Sequence, residues 1–170
     1  NGQADQVHTV CFSPDGNLLA SSDSNAVIWL WDPFNGKVHR QLKGHVGEVT
    51  QLSFTPGGEQ LLSGGSDGRL MLWDVATGEN VLKTSADATH SSRISLSPKE
   101  DRVAAILGGH RIHVWDAPQG NPLKTIDALP CLATALTFQQ GEAHLASGHD
   151  DGRVYFWDSL TGKQQGIAHD

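Results

Sequence analysis

Cysteine is almost missing from this chain: Cys11 and Cys131 are the only two in 170 residues. Two cysteines that fall at different points of the register described below cannot staple a fold, so free, half-buried thiols in a reducing compartment are expected. No Asn-X-Ser/Thr acceptor occurs, which fits the same setting, and a cytoplasmic location follows as an expectation. No window approaches the roughly 18 uninterrupted apolar residues of a membrane-spanning helix, and the start Asn1-Gly2-Gln3-Ala4-Asp5 lacks the basic-then-apolar order of a signal peptide. Clustered positive charge is absent too. The 12 Lys and Arg stand singly against 19 Asp and Glu, for a net charge of -7. That balance argues against nucleic acid or an anionic membrane as partner. There is no Cys-X-X-Cys, no glycine-rich phosphate loop and no nucleophile elbow. Finally, no segment shows an apolar period of 3.6 residues, so almost no helix is expected.

What is present is a longer period. Trp31-Asp32, Trp73-Asp74, Trp115-Asp116 and Trp157-Asp158 are each 42 residues apart. A fixed spacing in this range marks a modular array, each module one supersecondary unit. Within each module short β-branched and aromatic runs alternate with turn residues, predicting four strands per repeat. In the first repeat they are residues 6–14, 18–22, 27–31 and 37–42; in the second 49–54, 60–63, 70–73 and 80–84. The third gives 93–97, 102–106, 111–115 and 122–126, and the fourth 133–138, 144–147, 154–157 and 163–167. Ser-Pro-Asp-Gly at 13–16 and Asn35-Gly36 supply the tight turns of the first repeat.

The stretch Gly44 to Asp74 is the best formed: it opens on Gly44-His45, turns at Thr55-Pro56-Gly57-Gly58 and Ser66-Asp67-Gly68, and closes on Trp73-Asp74. It resembles the WD40 repeat family, and the resemblance covers essentially the whole chain. It implies an all-β fold, a β-propeller of four-stranded antiparallel blades, four per chain, with approximate boundaries 3–44, 45–86, 87–128 and 129–170 in one unit spanning 1–170. It also implies a buried hydrogen-bond relay on His45, Ser63, Asp67 and Trp73. Their capacities are complementary, since Trp only donates, Asp only accepts, and Ser and neutral His do both. The other repeats carry degraded versions: Gln3, Ser21, Asn25 and Trp31; Asp87, Ala105, Gly109 and Trp115; Leu129, Ser147, Asp151 and Trp157. Reading His, Asp and Ser as a nucleophilic triad would require an exposed nucleophile and an oxyanion site, which nothing here supplies.

Nine histidines invite a metal reading. His110 and His113, three apart on a strand, point to opposite faces; His144 and His149, with Asp150 and Asp151 beside them, read as solvated turn residues. No metal, cofactor or catalytic residue is assigned. The family resemblance places a candidate binding face on the loops entering the first strands and the turns between second and third strands. The matching positions are Gln6, Glu48, His90 and Leu132; His8, Thr50, Ser92 and Thr134; and Ser24, Ser66, Gly108 and Asp150.

Neither end repeat is capped by polar residues: the first carries Val27, Trp29 and Trp31, the last Val154, Tyr155, Phe156 and Trp157. Four blades of this family make about half a ring, and two copies would close an eight-bladed one. The expectation is therefore a non-catalytic scaffold for protein–protein interaction that self-associates as a homodimer. The alternatives are an excised or engineered half of a longer propeller with no independent cellular function, a closed four-bladed ring, and a propeller with a ligand-binding or enzymatic site in its central channel.

Overall fold

The computed structural model describes residues 6–83, 93–99, 102–117, 120–127, 129, 131–139 and 144–168. Sixteen strands and no helix occur among them. The chain forms two compact units, Asn1–Ser91 and Ser92–Asp170, each holding two four-stranded sheets.

In the first unit β1 (Val7–Phe12), β2 (Leu19–Asp23), β3 (Val27–Asp32) and β4 (Lys37–Lys43) form one sheet, and β5 (Val49–Phe54), β6 (Gln60–Gly65), β7 (Leu70–Asp74) and β8 (Asn80–Lys83) the next. In the second unit β9 (Ile94–Leu96), β10 (Arg102–Leu107), β11 (Arg111–Asp116) and β12 (Pro122–Ile126) form the third sheet. The fourth is β13 (Ala133–Phe138), β14 (His144–His149), β15 (Val154–Asp158) and β16 (Gln164–Ala168). Every sheet is an antiparallel meander in which each strand pairs with the next in sequence. Short, turn-punctuated strands fold this way because consecutive hairpins close the shortest loops.

The Trp-Asp pairs that set the period have a local cause. In every sheet the register between third and fourth strands shifts immediately before the tryptophan, at Leu30/Trp31, Leu72/Trp73, Val114/Trp115 and Phe156/Trp157. The aspartate then closes the hairpin. Its carbonyl accepts the N–H of a glycine four residues on, at 2.9 Å for Gly36 and 2.8 Å for Gly78 and Gly162. Its carboxylate accepts turn N–H groups, from Phe34 on Asp32 (2.9 Å), Thr77 on Asp74 (2.7 Å) and Leu160 and Thr161 on Asp158 (2.9 and 2.8 Å). Those glycines have φ of 68–78°, where a Cβ is disfavoured. The N–H of Thr77 and the N–H of Thr161 hold the Asp74 and Asp158 carboxyls below the ordinary carboxylate range.

Each unit has its core between its two sheets. In the first, Ala20, Ile28, Leu30 and Leu42 of the β1–β4 sheet meet Phe54, Leu61, Met71 and Trp73 of the next. In the second, Ala104, Ile112, Val114 and Ile126 meet Phe138, Leu145, Tyr155 and Trp157. Side chains alternate along a strand, so within each unit one face of each sheet packs against the other sheet of that unit. Polar clamps reinforce both contacts. Ser22 donates to the Val49 carbonyl at 2.7 Å, and the Arg40 guanidinium donates to the carbonyls of Thr77 and Ala76 at 2.9 and 2.7 Å. In the second unit Arg93 Nε donates to the Thr134 carbonyl at 2.9 Å, and Arg102 to Ser159 at the same distance.

Candidate functional site

The second sheet places His45, Ser63, Asp67 and Trp73 in one hydrogen-bonded chain. Trp73 Nε1 donates to Ser63 Oγ at 2.8 Å, Ser63 Oγ lies 2.8 Å from His45 Nε2, and His45 Nδ1 lies 3.1 Å from both Asp67 oxygens. Asp67 only accepts, so Nδ1 carries the ring proton and Nε2 accepts from the serine. The histidine side chain is wholly buried and that of Asp67 is 4 % exposed. Burial pushes the His45 pKa down, against the opposing pull of Asp67, so the ring is neutral. Burial alone would raise the Asp67 carboxyl, but the N–H groups of Val46 and Arg69 and the His45 ring outweigh it and hold it below its ordinary value.

The first and fourth sheets keep the tryptophan–serine bond and replace what lies beyond it. Trp31 Nε1 donates to Ser21 at 2.7 Å and Trp157 Nε1 to Ser147 at 2.8 Å. In the first sheet an acid stands at Asp23, two residues after the serine. Asp23 Oδ2 accepts Trp29 Nε1 at 2.7 Å, while Oδ1 accepts the N–H groups of Asn25 and Val27 at 3.0 Å each. Trp29 stacks on Trp31, centroids 5.6 Å apart.

In the fourth sheet the missing imidazole is supplied by His149, and here the reading of that residue as a solvated turn side chain is overturned: it is 7 % exposed. Its Nε2 lies 2.8 Å from Ser147 Oγ, and Nδ1–H donates to the Cys131 carbonyl at 3.2 Å. Asp151, at the position of Asp67, instead accepts the Tyr155 hydroxyl at 3.0 Å. The physical reason is spacing. Ser147 and His149 are two apart on β14, so their side chains share a face, and that spacing was legible in the sequence. Gly65 holds the same register position in the second sheet; a Cβ there would lie 2.7 Å from His45 Nδ1. In the third sheet the serine is replaced by Ala105, and His113 stacks on Trp115 at 5.6 Å with Thr125 at 3.2 Å from its Nδ1. Gln3 and Asp87 lie outside the described residues.

The rim positions are brought together within each unit. The carbonyls of Gln6, Glu48 and Leu132 accept the N–H groups of Ser24, Ser66 and Asp150 at 3.1, 2.8 and 3.0 Å. His8 Nε2 sits 3.3 Å from Ser24 Oγ and 3.9 Å from Glu48, so in the first unit Gln6, His8, Ser24 and Glu48 make one exposed to half-buried polar cluster. Thr50 and Thr134 donate to the carbonyls of Gly64 and Gly148 at 3.4 and 3.3 Å. Gly108 is an exposed turn residue; His90 and Ser92 lie outside the described residues. On the opposite edge of the first unit a cleft of about 360 Å³ opens among Asp15, His39, Glu59 and Asp74. The carboxylates of Asp15 and Asp74 are already engaged by Asn17 and Thr77. Among the described residues no three His, Cys, Asp or Glu side chains converge as a metal ion would require. Both thiols are free; burial pushes Cys11 up to about 11, and burial followed by Asp151 raises Cys131.

Polar side chains of catalytic type are thus consumed as structural hydrogen-bond partners under each sheet, and the exposed ones are scattered over turns. Comparison with known proteins bears on the fold and the family. The solved structure of U3-55K superposes with a TM-score of 0.83 over 99 % of this chain and 53 % of that one, at 14 % identity; the likeness is one of fold. The General transcriptional corepressor TUP1 of Saccharomyces cerevisiae is 40 % identical over 43 residues, which is 25 % of this chain and 6 % of the corepressor. The chain therefore spans about half of the one and a small part of the other. The family described as WD domain, G-beta repeat matches residues 1–32, 36–74 and 120–158, which carry three of the four Trp-Asp pairs. With that match over more than half of its length, and with four antiparallel four-stranded sheets set out at the repeat period, the chain belongs to the WD40 repeat family.

Proposed function

We propose that the chain is a non-catalytic scaffold for protein–protein interaction that self-associates, two copies completing an eight-bladed ring. One observation carries the self-association: large apolar side chains stand exposed on the first and last blades. Val10 and Phe12 are 58 % and 62 % exposed, Val154 and Phe156 37 % and 40 %. End blades of a repeat array need either polar caps or a neighbour, and among the described residues these have no polar cap. The non-catalytic reading is supported by the relay groups, whose donors and acceptors are satisfied and whose serines are buried. The two free thiols support a reducing, cytoplasmic setting. A net charge of -7 supports protein rather than nucleic acid or membrane as the partner.

The experiment is the solution mass by light scattering across a dilution series. A species of twice the 18.2 kDa chain mass that survives dilution is expected. A compact monomer at every concentration would refute the homodimer. It would favour the second reading, a half of a longer propeller, for which the 53 % coverage of U3-55K speaks.

A further inference from the structure

The two open faces are not alike, and their difference follows from the junctions the chain already makes. In both units the later blade contributes a phenylalanine at the end of its first strand, Phe54 or Phe138, to the core shared with the earlier blade. Its backbone N–H is received by a small polar side chain of the earlier blade: Cys11 takes that of Phe54, and Ser95 takes that of Phe138 at 3.1 Å. Phe12 holds the same position in the first blade, and there it is 62 % exposed where Phe54 is 8 %. Thr137 holds the position of Cys11 and Ser95 in the fourth blade, and it is exposed. Val154 and Phe156 stand where Ile28 and Leu30, both 0 % exposed, face Phe54. The outer rim matches as well. Arg40 of the first blade lies over the turn at Ala76, and Lys124 of the third lies against Gly162 of the fourth. The corresponding pair across the open faces is Gly166 and Phe34, the latter 82 % exposed: a missing side chain on one face and a protruding ring on the other.

Resting on the self-associating reading above, we infer that the first blade's open face is the docking surface for the fourth blade's open face of a second copy. Phe12 seats against Val154 and Phe156, the Phe12 N–H reaches Thr137, and Phe34 fills the space over Gly166. The pairing is head to tail, and a homodimer in which each copy supplies one face to each junction makes two identical junctions. A lone chain leaves one socket and one plug unfilled.

The test uses the full chain with Phe12→Glu and Phe156→Glu, and Val81→Glu on the exposed outer strand of the second blade as control. All three side chains are exposed, so folding is retained; should Phe12→Glu fail to fold, Phe12→Ser carries the same test. Burying an unpaired carboxylate in either junction raises the dimer dissociation constant by at least about a hundredfold. Each variant alone is expected to run as a monomer where the wild type and Val81→Glu run as dimers. An equimolar mixture of the two contains one unmodified junction and is expected to associate at concentrations where neither does alone. If the wild type is dimeric and both variants remain so, self-association stands and this surface assignment falls. A mixture that stays monomeric also overturns it, and a monomeric wild type overturns both readings.

Discussion

Replacing His45 by alanine isolates what the relay contributes. Two hydrogen bonds disappear, to Ser63 at 2.8 Å and to Asp67 at 3.1 Å, but the two ends are not equally harmed. Ser63 keeps the Trp73 N–H at 2.8 Å and can turn its proton to the Met71 carbonyl at 3.4 Å. Asp67 keeps the N–H groups of Val46 and Arg69, at 2.9 and 3.0 Å, and loses the one side-chain donor it has among the described residues while remaining 4 % exposed. The stranded carboxylate dominates, and the expected destabilisation is about 2–3 kcal/mol. For a chain of this length that lowers the melting temperature by roughly 5–10 °C at fixed protein concentration. The loss is pH-dependent with a definite sign. Burial holds the native His45 pKa below its ordinary value, so below about pH 6.5 the unfolded chain takes a proton that the native ring refuses. The contribution of the neutral ring is present above the unfolded value and is lost as the pH falls. The gap between wild type and variant in urea denaturation is therefore largest near pH 7.5 and narrows toward pH 5.5. A gap below about 0.5 kcal/mol at pH 7.5, or one that widens on acidification, would refute the account.

Further consequences can be checked with the same material. His149→Ala should destabilise the fourth blade by about 1–3 kcal/mol in urea denaturation, because it removes the partner of Ser147 and the donor to the Cys131 carbonyl. Gly65→Ala should cost about 1–3 kcal/mol in the same assay, since its Cβ would lie 2.7 Å from both His45 Nδ1 and Asp67 Oδ1, atoms that are pinned and cannot yield. Ala26 has φ 62° where Gly68 and Gly152 hold the matching turns at 70° and 81°, so Ala26→Gly should raise stability by up to about 1 kcal/mol. Cys11, pushed up by burial from 9.0 to about 11, should react with iodoacetamide at pH 8 about a hundredfold more slowly in the native chain than in urea, since the thiolate is the nucleophile; equal rates would contradict its burial.

The architecture was legible because its determinants are local and repeated. Alternating strands, Asn-Gly and Pro-Asp-Gly turns and the 42-residue spacing each act within a hairpin, and four copies average out the noise in any one. The strand ranges read from residues 27–31 and 133–138 differ from β3 and β13 by at most a residue. His45, Ser63, Asp67 and Trp73 could be placed because the second repeat keeps every position. The first and fourth relays are harder to read, because Asn25 and Leu129 stand at the register positions that Asp67 and His45 hold in the second repeat. Asp23 and His149 lie off that register, yet each stands two residues after its serine, and on a strand two residues is one face. The clamps of Arg40 and Ser22 had no sequence signal, since they depend on how one sheet seats against the next.

The substitutions themselves show which part of the relay the fold needs. The tryptophan–serine bond recurs in three sheets at 2.7–2.8 Å; the group beyond it is a loop histidine in the second sheet and a strand histidine in the fourth, while in the first Asp23 pairs with a second tryptophan. The two histidine solutions exclude each other sterically: with His45 entering from the loop, the strand position must be Gly65, because its Cβ direction is occupied by the ring. When the loop offers Leu129 instead, buried at 9 % in the core, that direction is vacant and His149 fills it. The two changes compensate: a second imidazole beside His45 would overlap it, and Leu129 above a glycine would take the His149 ring from Ser147. What the two histidine arrangements share is satisfaction of the buried serine, reached by different residues, as a structural hydrogen-bond network permits.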